Sequence, residues 1–115
     1  VKKLKKIKNK TLMLPINGHE YHIRYVSGAK ADLGTDSTEI LGAISMRKCE
    51  IVLEHDMKDS KILEVLCHEV LHGITHGTSL DLTETQVQVL ANSLFQLGFG
   101  EFLWKKAGGR YDSKL

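Results

Sequence analysis

From Lys58 to His76 the chain repeats apolar residues at the spacing of an α-helix, and that run limits what the rest can build. At about 100° per residue, Ile62, Leu63, Leu66, Cys67, Val70, Leu71 and Ile74 fall in one broad arc, with Lys61, Glu64, His68, His72 and His76 opposite. An apolar stripe of that width needs a partner surface. The segment before it reads as a sheet able to supply one.

Thr11 to Ile16 and His19 to Val26 flank Asn17-Gly18, a dipeptide that accepts positive φ at both centres of a type I′ turn, so they are predicted to form a hairpin. In its second arm Tyr21, Ile23 and Tyr25 alternate with His22 and Arg24, the pattern of a half-buried strand. Ile40 to Met46 and Cys49 to His55 read as two more strands around a polar turn at Arg47-Lys48. Residues 27 to 39 are small and polar without a period and are expected to form a loop. After the long helix, a second helix is expected from Asp81 or Thr83 to Leu97, with Val87, Leu90, Ala91, Leu94 and Leu97 on its apolar face. Gly98 and Gly100 interrupt it, and Glu101 to Lys106 are read as a further turn. The predicted fold is α+β: a mixed or antiparallel sheet of about four strands on one long helix and a C-terminal helix.

A chain of 115 residues holds one domain of this kind. Charge divides it into three parts. Lysine occupies six of the first ten positions, while residues 11 to 104 hold thirteen acidic side chains against six basic ones. Residues 1–10 therefore read as a basic flexible tail, 11–106 as the domain, and 107–115 as a C-terminal tail. An acidic body argues against a nucleic-acid groove, which needs clustered lysine and arginine. No apolar run approaches membrane-spanning length, and Thr11 to Ile16 is too short for a secretory core, so the reading is cytoplasmic. Cys49 and Cys67 are expected as reduced, buried residues, since no C-x-x-C spacing is present.

Within the helical run stands His68-Glu69-Val70-Leu71-His72. Four-residue spacing puts both imidazoles on one face a turn apart, where they can reach one zinc ion, and Glu69 lies about 100° round the helix, beside the pair. From there its carboxylate can reach a water near the metal without binding the metal. A catalytic zinc wants a third protein ligand. His76 lies about 12 Å from His68 along an unbroken helix, too far for the same ion. Thr75 and Thr78 stand where the metzincin pattern requires glycine and histidine. Glu84, in the first turn of the next helix, faces His72 if the two helices form an antiparallel pair. Asp81 is a weaker candidate, and Asp81-x-x-Glu84 also reads as a capping box that would occupy the glutamate. His76, His55 and Tyr111 are candidate donors to a developing oxyanion, and Cys49 to His55 is the candidate sheet edge for a substrate strand.

An N-terminal hairpin, the strands Leu41-Gly42-Ala43-Ile44-Ser45 and Ile51-Val52-Leu53, the run Val65 to Ile74 with its H-E-x-x-H, and Glu84-x-x-Val87-x-x-Leu90-Ala91-Asn92 together resemble the minimal zincins of phages and mobile elements. These are similar to ImmA/IrrE-type metallopeptidases, a gluzincin arrangement, over residues 12 to 97. The His72-to-Glu84 connection is shorter than such chains commonly carry. The resemblance implies one Zn²⁺ held by His68, His72 and Glu84, Glu69 as general base, and a protein or peptide substrate. The competing expectation is a non-catalytic zinc-binding accessory protein that acts by docking on a partner. Glu69 separates the two, because a purely structural site has no use for a base.

Overall fold

The computed structural model describes residues 3–6, 12–26, 41–76 and 78–111. The loop expected at 27 to 39 lies outside them, as do Gly77 and parts of both predicted tails. Elements run in the order β1 (Leu4–Lys5), β2 (Leu12–Ile16), β3 (His19–Val26), β4 (Gly42–Ser45), β5 (Glu50–Glu54), α1 (Asp59–His76), α2 (Glu84–Gln96), α3 (Phe99–Lys106) and β6 (Arg110–Tyr111).

The Asn-Gly turn forms as predicted, with Asn17 at φ 50° and Gly18 at φ 83°, and Ile16 pairs with His19 across it. Leu12, Leu14, Ile16, Tyr21 and Ile23 turn inward while Met13, His22 and Arg24 face solvent. The main sheet has the order β2-β3-β5-β4. β3 and β5 run parallel, and the other neighbours are antiparallel. This α+β architecture matches the expected sheet of four strands, with three helices among the described residues.

One expected edge is wrong. β5, within the predicted strand Cys49 to His55, is an inner strand paired on both sides, with Ile51 and Leu53 fully buried. A run of adjacent apolar residues (Ile51-Val52-Leu53) is what two-sided burial demands. The edge near the helix is β4, which among the described residues has a sheet partner on one side only.

α1 is buried more broadly than its apolar arc predicts. Val65, Glu69, Gly73 and Thr75 are buried as well, while Ile74 is exposed. The helix is packed from two directions, by the sheet and by α2 and α3. Contact with the sheet depends on two glycines. A methyl group at Gly42 would lie 2.6 Å from Val65 Cγ1, and one at Gly73 would lie 2.8 Å from Ile44 Cδ1. The missing side chains let β4 lie directly along α1. Asn17 then ties the hairpin to the end of α1, its Nδ2 donating to Gly73 O at 3.0 Å and to Ile74 O at 3.2 Å. These carbonyls belong to the last turn, where no intrahelical donors remain.

The terminal readings need correction at specific residues. Leu4 and Lys5 pair antiparallel with Tyr111 and Arg110. Leu4 is buried, and its N–H donates to Asp59 Oδ2 at 2.9 Å. Trp104 is buried beneath, with Nε1 donating to Arg110 O at 2.9 Å. An apolar residue amid lysines was the overlooked signal. In the C-terminal half, Val87 and Ala91 of α2 are buried, whereas Leu90 and Leu97 are exposed. Gly98 at φ 90° ends that helix run, and Glu101 to Lys106 belong to the separate helix α3.

Candidate metal centre

His68 and His72 sit two and three turns into α1, one turn apart, with ring centroids 4.8 Å from each other. Their Nε2 atoms approach to 3.1 Å. Glu84, the first residue of α2, reaches across so that Oε1 lies 2.7 Å from His68 Nε2 and Oε2 lies 3.0 Å from His72 Nε2. One ligand atom from each of the three residues lies within 4.8 Å of the others, so the group could hold a metal ion. Asp81 is exposed, precedes α2 and is not part of this group.

The local sequence explains why Glu84 is available. Thr83 is the N-cap of α2, its Oγ1 accepting from Gln86 N at 3.1 Å while Gln86 Oε1 accepts from Thr83 N at 2.9 Å. This reciprocal box satisfies two backbone N–H groups at the start of the helix, those of Thr83 and Gln86. The box predicted for Asp81 and Glu84 does not form, and the glutamate one position inside the cap points its carboxylate to the histidines.

Glu69 has another environment. It is 7% exposed, yet it borders the same cleft as the three ligands. Burial pushes its carboxyl up to about 7; His68 pulls it down and Glu84 pushes it up, both by smaller amounts. A carboxyl shielded from water resists ionising because the charged form loses its solvation. Near neutrality such a group can both take and give a proton.

The cleft has a volume of about 430 Å³ and is walled by α1, the start of α2 and the β4 edge from Leu41 to Ile44. None of the three predicted oxyanion donors borders it. His76 is exposed at the end of α1, His55 lies edge-on to the Tyr25 ring at 6.2 Å, and Tyr111 is in β6. The polar groups at the cleft are instead Lys61, Glu64 and Gln88. Gln88 Nε2 donates to Glu64 Oε1 at 3.3 Å, and Lys61 Nζ lies 3.4 Å from Glu64 Oε2. Helical spacing carried the signal: Glu64 is one turn before His68, and Gln88 one turn after Glu84.

No family model, curated protein or solved structure matches the chain.

Proposed function

We propose that this protein is a zinc-dependent metallopeptidase in which His68, His72 and Glu84 hold the ion and Glu69 is the general base. The observation that carries the reading is the meeting of two imidazole nitrogens and a carboxylate from separate helices, with a buried glutamate beside them. The donor set fits zinc. Tetrahedral bonds of about 2.0 to 2.1 Å space ligand atoms roughly 3.3 Å apart, and the two imidazole Nε2 atoms lie 3.1 Å from each other, with a carboxylate oxygen of Glu84 within 3.0 Å of each. Three protein ligands leave a fourth position for water, the pattern of catalytic sites.

A zinc ion held there would acidify a water and polarise a peptide carbonyl. Glu69 takes the proton from that water as the oxygen adds to the carbonyl carbon, and returns it to the amide nitrogen as the C–N bond breaks. The backbone of β4 offers the substrate an edge to pair with, replacing the predicted edge at Cys49 to His55. The working compartment is read as the cytoplasm. Among the described residues no helix is long and apolar enough to cross a membrane.

The test is metal content together with cleavage of end-blocked peptides by wild type and Glu69→Gln. Zinc bound by both and hydrolysis by wild type alone is the expected result. Equal hydrolysis by both would remove Glu69 from the chemistry, and zinc without hydrolysis in either would favour the accessory-protein reading.

A further inference from the structure

The cleft does not end at the ligands. Toward the start of α1 it continues into a second groove of about 410 Å³, which shares Leu41, Lys61 and Glu64 with it. Leu41, Met57 and Phe95, all partly buried against the core, give this groove an apolar lining. Lys58 adds a solvent-exposed ammonium at its rim.

We infer that this groove is a specificity site for the peptide substrate, taking a large apolar side chain about three residues beyond the cleaved bond and favouring an acidic neighbour. The inference rests on the peptidase reading for its register. Lys61 precedes His68 by seven residues, about 10 Å along the helix axis. An extended peptide covers that distance in about three residues, at roughly 3.3 Å each. The direction follows from the glycine contacts. Gly42 lies against Val65, and Ile44 against Gly73, so β4 and α1 run in the same sense. A peptide pairing antiparallel to β4, the more stable ladder, runs from the His72 end toward Leu41. The residues reaching the groove are then on the C-terminal side of the cleaved bond.

The chemistry of the groove selects its occupant. Carbon surface from Leu41, Met57 and Phe95 rewards a leucine, methionine or phenylalanine side chain. Glu64 already accepts from Lys61 and Gln88, leaving the Lys58 charge at the rim to meet a carboxylate. A peptide paired to the β4 edge would present its side chain to this groove at high effective concentration.

The test uses the full chain loaded with zinc and a library of acetylated, amidated decapeptides, with cleavage sites read by mass spectrometry. Wild type is expected to favour leucine, methionine or phenylalanine at the third or fourth position after the cut by about ten-fold over glycine or serine. Met57→Glu should abolish that preference, and Lys58→Glu should remove the acidic preference while the apolar one persists. Cleavage with no preference at those positions, or a preference unchanged in Met57→Glu, overturns the groove while leaving the peptidase reading standing. If no peptide is cut, the Met57 methyl resonance decides. A shift with a leucine-glutamate decapeptide, absent with its glycine-serine counterpart, supports the groove as a binding site, and no shift with either overturns it.

Discussion

His68 Nε2 lies 2.7 Å from Glu84 Oε1 although sixteen positions separate the two residues in sequence. That contact joins the long helix to the helix after it at the point where a second imidazole also arrives. Two nitrogen atoms 3.1 Å apart cannot both present hydrogens to one another, whereas a cation between them accepts a lone pair from each.

Zinc affinity should fall by roughly 100- to 1,000-fold in Glu84→Ala, because a zinc site worth about 10 to 16 kcal/mol over four ligands loses about one share in four, about 2.5 to 4 kcal/mol. Competition with a chromogenic chelator measures it. Unchanged affinity would exclude Glu84 as a ligand.

The buried Glu69 gives metal-free protein a defined pH dependence. Its folded-state carboxyl titrates at about 7, raised chiefly by burial, against an ordinary value of 4.5. The fold therefore keeps a proton that the unfolded chain releases, so this contribution is complete below about pH 4.5 and is lost as pH rises toward 7, up to about 3 kcal/mol in all. Urea unfolding in chelator should show the wild type losing stability relative to Glu69→Gln across that window. Parallel curves for the two proteins would contradict the burial argument.

The fold was legible wherever a short period or a turn dipeptide determines structure. The Asn17-Gly18 hairpin, the alternation in β3 and the helical spacing of His68 and His72 are local properties, and the chain obeys them. What sequence could not provide was the neighbour of each element. The expected edge at β5 is an inner strand because a short apolar run marks a strand but does not name the strands alongside it. Ile74 was counted in the core because a helix packed from two directions does not follow a single arc. Glu84 could be named, since capping chemistry and helix pairing both pointed to that turn. Its cap role was misassigned because Thr83-x-x-Gln86 and Asp81-x-x-Glu84 overlap, and only the geometry separates them.

Asn17 should stabilise the hairpin and the end of α1 together. Asn17→Ala removes both hydrogen bonds to the last-turn carbonyls and puts alanine, which tolerates the left-handed region less well than asparagine, at φ 50°, at a combined cost of about 2 kcal/mol. Asn17→Gly restores the backbone freedom and keeps only the hydrogen-bond loss, so it should fall between wild type and alanine in chemical denaturation. Equal costs for the two variants would mean the side-chain bonds to Gly73 and Ile74 contribute nothing.

Thiol chemistry offers a probe of core integrity. Burial, with a smaller push from Glu64, raises the Cys67 thiol to about 11, while Cys49 is only half-buried. At pH 8 a thiol reagent should label Cys49 in the native chain and reach Cys67 only on unfolding, because the thiolate is the reactive form. Rapid labelling of both would show that α1 opens locally without global unfolding.

Capping and ligation at the start of α2 should separate cleanly. Thr83→Ala removes the N-cap side chain and leaves the Glu84 carboxylate intact, so it is expected to lower stability by about 1 kcal/mol with zinc affinity within a few-fold of wild type. Glu84→Ala should do the reverse in metal-free protein, because its side chain is 70% exposed and takes no part in the cap. Denaturation in chelator and zinc titration of both variants give a two-by-two comparison. A large loss of affinity in Thr83→Ala would mean that the cap positions the carboxylate, making the first turn of α2 part of the metal site as well as its support.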